Sequence, residues 1–139
     1  WYKKSFFEES CRIPMIVSHP DLTPARITDN VSLVDLLPTL LSIAGDEAGD
    51  SLVETIDGNS LWPMISAPGK ARGLPVYSEI LAESAITPLL MVKHGSLKYV
   101  YSTVDPHQLF DLSNDANEQM NLIDHHDYAT DAARLSYMV

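Results

Sequence analysis

The sequence of 139 residues holds a single cysteine, Cys11. One thiol cannot close an internal disulfide, so the chain has no need of an oxidising compartment, and a cytoplasmic setting is the expectation. Long apolar runs are missing as well. None approaches the ~20 residues a membrane-spanning helix needs, and no secretory leader is recognisable. The chain opens on Trp1-Tyr2-Lys3-Lys4 without an initiator methionine, as though inside an element, so a trimmed longer protein is expected. Basic residues are scarce, 9 Lys+Arg against 19 Asp+Glu, for a formal net charge of −10. Phosphates call for basic patches, so this balance argues against nucleic acid. It tolerates a cationic ligand, although an acidic surface more commonly serves solubility. What remains is 45% hydrophobic and 20% charged residues, a globular composition at the length of one ordinary domain or the end of a larger one with a small appended unit.

Pro14 to Ser18 is a short apolar run closed by His19-Pro20, which predicts a buried strand entering a turn. Asp21 to Arg26 follows as a loop. The clearest helix is Ser32 to Ala44. Ser32 and Asp35 make an S-x-x-D capping box, Leu33, Leu36, Leu37 and Leu40 recur at helical spacing, and Gly45 supplies the stop. Pro38 removes a helical bond to Val34 and predicts a kink. Val34 and Leu41 fall outside the main stripe, so burial on most sides is expected. Gly45 to Asp57 reads as an acidic loop, and Gly58 to Ile65 as a short capped turn or helix. Ala67 to Gly73 reads as a linker, with the subdomain boundary inside it. Beyond it the period changes to two. Strands are expected at Val76–Ile80, Leu89–Lys93, Leu97–Tyr101 and Gln108–Leu112, antiparallel because their connections are short, with a tight hairpin at His94-Gly95-Ser96. A helix from Tyr128 to Met138, with Ala132 and Leu135 on one face, closes the chain.

Three stretches carry a family resemblance. Lys3 to Pro14 is similar to a K-x-x-x-(Y/F)-E-x-x-x-R-x-P segment. Val31-Ser32-Leu33-Val34-Asp35-Leu36-Leu37-Pro38-Thr39-Leu40, with Gly45 and Asp57-Gly58-Asn59-Ser60-Leu61, is similar to V-S-x-x-D-L-x-P-T-L…G…D-G-x-S-L. Gln108 to Asp115 with Glu118, Asn121 and Leu122 is similar to L-Y-D-L-x-x-D-P-x-E-x-x-N-L, with Ala116 in place of the usual Pro. In this order they resemble the C-terminal part of type I sulfatases of the alkaline-phosphatase superfamily. Trp1-Tyr2-Lys3, Tyr77 to Glu83 and Pro88 to Val92 resemble the choline-sulfatase branch most. Phosphonate and phosphodiester hydrolases, and other arylsulfatases, share the pattern; a non-catalytic interaction domain with a sulfatase-like tail is a reading of a different class.

The resemblance implies an α/β fold, α+β within this chain. Residues 1–72 would be the C-terminal end of the sulfatase α/β domain, and residues 73–139 an antiparallel-sheet subdomain with a C-terminal helix. It also implies that the whole protein is a sulfuric ester hydrolase acting on choline-O-sulfate or another small sulfate ester. Such an enzyme uses a formylglycine nucleophile, made from Cys or Ser in C/S-x-P-x-R, and a Ca2+ or Mg2+ ion. Both would lie upstream, leaving no metal ligand or cofactor here and no activity in the chain alone. A homo-oligomer is implied for the whole protein.

Lys3 is the catalytic candidate. Charge builds on the sulfuryl oxygens during ester cleavage, and a fixed cation there stabilises the transition state. Glu83, and behind it Glu79, are the candidates for choline's trimethylammonium group, which is held by carboxylate charge and aromatic faces. Two carboxylates facing water are the plainer alternative. Glu8 and Arg12 are expected to form a buried structural ion pair. Ser66-Ala67-Pro68-Gly69-Lys70, Leu22-Thr23-Pro24-Ala25-Arg26 and Cys11-Arg12-Ile13-Pro14 each miss the nucleophile pattern by one feature. Asp124-His125-His126-Asp127 has metal-ligand residue types, but adjacent residues seldom converge on one ion, and a charged helix N-terminus is expected. His107 is expected on a loop surface, with a site-lining place as its alternative.

Overall fold

The computed structural model describes residues 5–45, 56–69, 71–81 and 86–139. They divide into two compact units, one of Trp1–Met15 with Pro75–Val139 and the other of Ile16–Leu74.

The first unit is built on an antiparallel sheet in the order β1-β2-β3-β4, with β1 at Val76–Ile80, β2 at Leu89–His94, β3 at Leu97–Ser102 and β4 at Gln108–Asp111. His94 pairs with Leu97 across the two-residue loop Gly95-Ser96, and Gly95 takes φ +61°, which an L side chain rarely adopts. The register decides what each face buries. Val92 opposes Tyr99, which opposes Leu109, and this row meets Leu122 and Leu135 in a buried hydrophobic cluster. Leu135 comes from α4 (Ala129–Ser136), which follows a 3-10 turn at His126–Tyr128, so the expected closing helix covers this face. Met91 opposes Val100 on the other face, and Phe6 covers them. Phe6 precedes α1, the single turn Glu8–Cys11.

In the second unit the capping box forms as expected. Ser32 and Asp35 cap a 3-10 turn at Leu33–Asp35 that runs into α2, Leu36–Ala44, ending at Gly45. Pro38 therefore falls in the first α-helical turn, where a missing N–H costs nothing, and marks the change from 3-10 to α-helix. Trp62–Ser66 forms α3 with Pro63 in its first turn.

Two expectations fail here. Pro14 to Ser18 forms no strand among the described residues, and Ile16 is 95% exposed. A strand of this kind is completed by neighbours, and the described residues offer none. Nor is α2 buried on most sides: Leu33, Val34, Leu37 and Leu40 are more than half exposed, and Thr39 is its one buried residue. The apolar content that predicted burial is present, but no described residue covers it. Residues 46–55 of the expected acidic loop lie outside the described residues.

Candidate functional site

Lys3 and Glu83 lie outside the described residues. Glu79 is exposed on β1. Its register partner is Leu90, whose partner is Tyr101, and Tyr77 stands two residues away, so Glu79 shares a sheet face with two tyrosines.

The N-terminal segment is held by charge. Lys98 on β3 is fully buried, its ammonium 2.6 Å from Glu8 Oε1 and 2.8 Å from Glu118 Oε1, and it donates to the Phe6 carbonyl at 2.7 Å. Its three donors meet three oxygen acceptors, and Cys11 Sγ stands at 3.7 Å as a fourth, weaker one. Glu118 also accepts the Glu8 backbone N–H at 2.6 Å through Oε2. Lys93, one step across the sheet, adds a 3.3 Å contact to Glu8. Burial pushes the Glu8 carboxyl up, but Lys98 and Lys93 outweigh it and hold it below its ordinary range. Burial likewise pulls the Lys98 ammonium down, and Glu118 and Glu8 more than reverse this, so the net direction is up. Glu118 adopts φ +54°, a left-handed backbone uncommon outside glycine, which these contacts hold in place.

Glu8 thus pairs with Lys98 and Lys93, not with Arg12 as expected. Arg12 has left the helical turn, with φ −78° and ψ 105°, so its side chain does not follow the i, i+4 row on which the pairing rested. It is exposed and makes no ion pair among the described residues. Lys98 was the residue missed. A lysine in the strand row of Val100 and opposite Phe110 is the legible signal, because a charge in an apolar row demands a buried partner.

The second stretch of motif residues is a staple. Asp35 is fully buried and accepts the N–H groups of Ser32 and Asn59, both at 2.8 Å, and both arms of Arg72 at 2.5 and 3.1 Å. Burial raises this carboxyl, but Arg72 and the two N–H groups hold it below its ordinary value. Thr39 donates its hydroxyl to the Asp35 carbonyl and accepts the Leu61 N–H. Gly58 is required because a Cβ there would stand 2.4 Å from the Val34 carbonyl oxygen, and φ is +96°.

The third stretch is also structural. Asp111 accepts from Ser113, Asn114 and Tyr128, and the Ser113 hydroxyl leads the effects that pull its carboxyl down to about 2. A cleft of about 430 Å³ opens here, lined by Asp111, Asn114, Asp115, Gln119, Met120, Leu122 and Tyr128, with the Asp111 oxygens already occupied. Asn121 accepts the Leu109 and Ile123 N–H groups and donates to the His107 carbonyl. His107 is half-buried, with Nδ1 2.6 Å from the Tyr99 hydroxyl, so it belongs to this network more than to an open loop.

Of the near-matches to a nucleophile pattern, Cys11 donates to the Phe6 carbonyl, and burial raises its thiol. Ser66 closes back on the Trp62 carbonyl. His125, His126 and Asp127 bring one ligand atom each within 4.8 Å of one another, closer than adjacent residues were expected to come, although they do precede α4. Calcium and magnesium are hard ions that take oxygen donors, and two exposed imidazoles with one carboxylate do not fit such a centre.

A helix-backed antiparallel sheet in one unit and a capped helix in the other, each stapled by its motif carboxylates, make up the C-terminal region of a sulfatase. The chain belongs to the N-sulphoglucosamine sulphohydrolase C-terminal family, whose model matches residues 1–138. It is 38% identical to choline-sulfatase of Rhizobium meliloti (strain 1021) over 136 residues, 98% of this chain and 26% of that protein. It is 36% identical to arylsulfatase K of Xenopus laevis over 135 residues, 88% of this chain and 24% of the relative. Among solved structures, a 2-O GAG sulfatase superposes with a TM-score of 0.60 at 29% identity, covering 75% of this chain and 22% of that one. A phosphonate monoester hydrolase from Silicibacter pomeroyi reaches 0.63 at 24% identity, covering 87% and 26%, a likeness of fold alone. The chain spans about a quarter of the length of the curated relatives it matches. No helix among the described residues is long and apolar enough to cross a membrane.

Proposed function

We propose that the whole protein is a sulfuric ester hydrolase that converts choline-O-sulfate to choline and sulfate. The supporting observation is the 38% identity to choline-sulfatase across 98% of this chain. In this reading Lys3 binds the sulfate and stabilises the charge that grows on it. Glu83, with Glu79 as the second candidate, holds the trimethylammonium group, and the tyrosines sharing the face of Glu79 are the aromatic surfaces such a cation favours. The formylglycine nucleophile and a Ca2+ or Mg2+ ion are assigned, from the family resemblance, to the part of the protein upstream of this chain. Residues 1–72 are read as the end of the α/β domain and 73–139 as the appended subdomain. The enzyme is read as a cytoplasmic homo-oligomer, without nucleic-acid or membrane partners.

Arylsulfatase K supports a second reading, a sulfatase of a different ester, because it is nearly as similar at 36% identity. The two separate in one assay of the whole protein with choline-O-sulfate, a neutral aryl sulfate and a phosphonate monoester. Preference for choline-O-sulfate in kcat/KM is expected. Glu83→Gln removes the charge at nearly constant shape and should raise KM for choline-O-sulfate about tenfold while sparing the aryl sulfate. Equal effects on both substrates would refute the role of Glu83, and preference for another ester would refute the substrate. The 139-residue chain alone should turn over none of them.

A further inference from the structure

We propose that the leucine face of α2 and the apolar run Pro14–Ser18 are docking surfaces for the part of the protein that precedes Trp1. That part would bring an open α/β sheet, with a face for the helix and an interior place for the run. This deepens the reading of residues 1–72 as the end of the α/β domain and rests on it. The helix is turned the opposite way from a surface helix, whose apolar stripe faces inward. Its inner side is polar: Asp35 and Thr39, one turn apart, are buried and accept the Asn59 and Leu61 N–H groups. Leu33, Leu37 and Leu40 recur at i, i+4 and i+7 on the other side and are 62%, 53% and 63% exposed. Leu36 beside them is exposed too. Single exposed leucines mean little. Several on one side within about two turns make a contiguous patch of the kind that marks an interface.

Pro14–Ser18 points to the same partner independently. Its core, Pro14-Met15-Ile16-Val17, is apolar without alternation, the pattern of a strand covered on both faces in a parallel sheet. Yet it forms no strand among the described residues, and Ile16 is almost wholly exposed. One partner meets both needs, because an α/β sheet offers strand neighbours and a face that helices cover. A second copy of this chain does not. About a two-fold axis it would set α2 against α2 and leave the run without a sheet interior. The size of the missing partner is also on the right scale. This chain spans 26% of the choline-sulfatase it matches, and its family is a C-terminal one, so most of such a protein lies ahead of the matched region.

The test is made on the whole protein in two ways. Leu37→Cys and Leu40→Cys are each labelled with a maleimide, folded and in urea, and the label is located by peptide mass spectrometry. In parallel, photo-leucine is incorporated during growth and activated by light, and cross-links from residues 33–40 are mapped. The second measurement needs no substitution, so it stands even where a cysteine variant fails to fold. Labelling is expected to be on the order of 100-fold slower in the folded protein than in urea. Cross-links are expected to reach peptides that precede Trp1, within the single-chain band. Labelling as fast as in urea overturns the proposal. So do cross-links found only in a two-chain band, which assign the face to a second copy, and cross-links confined to residues 46–55, which cover it from within this chain. Preference of the whole protein for an ester other than choline-O-sulfate refutes the substrate and leaves the docking surfaces standing, because labelling reads only what covers α2.

Discussion

The strongest demand the structure makes on a single side chain falls on Asp35. Replacing it by alanine takes the acceptor from two backbone donors, on half-buried Ser32 and exposed Asn59, and strands the Arg72 guanidinium. Those two donors can turn in part to water, but breaking a buried ion pair from one side costs ~3–5 kcal/mol in total. The Arg72 side chain is 11% exposed and recovers little water, so the upper part of that range applies. Domains of this size are stable by only ~5–15 kcal/mol, so Asp35→Ala should remove a third or more of the margin. Urea denaturation of the whole protein, followed by circular dichroism, measures it. Arg72→Met added to Asp35→Ala should cost less than the sum of the two single changes, because the stranded cation is gone. The Asp35 carboxyl is held below its ordinary value, so its contribution is complete above the unfolded carboxyl's ~3.9. It is lost as pH falls through the folded value. A loss under ~1 kcal/mol for Asp35→Ala would mean that the D-G-x-S-L loop is held by something other than this carboxylate.

Gly58→Ala should destabilise by several kcal/mol, read as a fall in Tm, because the new Cβ meets backbone at Val34 and not a yielding side chain; an unchanged Tm would refute the close approach. Asp111, held down to about 2, contributes stability that is complete above ~3.9 and fades as pH drops toward about 2. Asp111→Asn should flatten the acid limb of an unfolding-against-pH curve, and an unaltered limb would contradict the assignment. Lys98→Met leaves the Glu8 and Glu118 carboxylates facing each other without their shared cation and should cost ~3–5 kcal/mol. In the parent, the raised Lys98 contributes fully below ~10.4, and its contribution is lost as pH rises through the folded value. A wild-type denaturation midpoint for Lys98→Met would count against a buried charge.

The elements were legible wherever local chemistry alone decides them. All four strands were located within a residue or two, β1 and β3 by period-two alternation, and the capping box and Gly45 bounded α2. The partners of charged side chains were not legible, because pairing is set by tertiary contact. Glu8 and Arg12 had helical spacing, yet one φ/ψ change at Arg12 handed Glu8 to Lys98, 90 residues on. Burial was misjudged at Pro14–Ser18 and α2, since apolar content reports the need for a partner and says nothing of where that partner lies. The motif residues that carried the resemblance are mostly staples where they are described: Asp35, Gly58, Asp111, Glu118 and Asn121 satisfy backbone groups or shape loops. The residues expected to touch substrate were named from the resemblance alone, and two of the three, Lys3 and Glu83, lie outside the described residues.

The distance along the chain between Glu8 and Glu118, 110 residues, has a consequence for synthesis. Ribosomes add ~5–20 residues per second, so about 5–20 s separate the emergence of the Glu8 amide from that of the carboxylate that receives it. Through that interval Phe6 has no finished sheet to cover, and Lys98 appears before its second carboxylate does. The turn at Glu8 can dock only when residue 118 has left the exit tunnel. A ribosome stalled before residue 118 should therefore present a nascent chain whose segment around Glu8 is open to protease, and the released, folded protein should not.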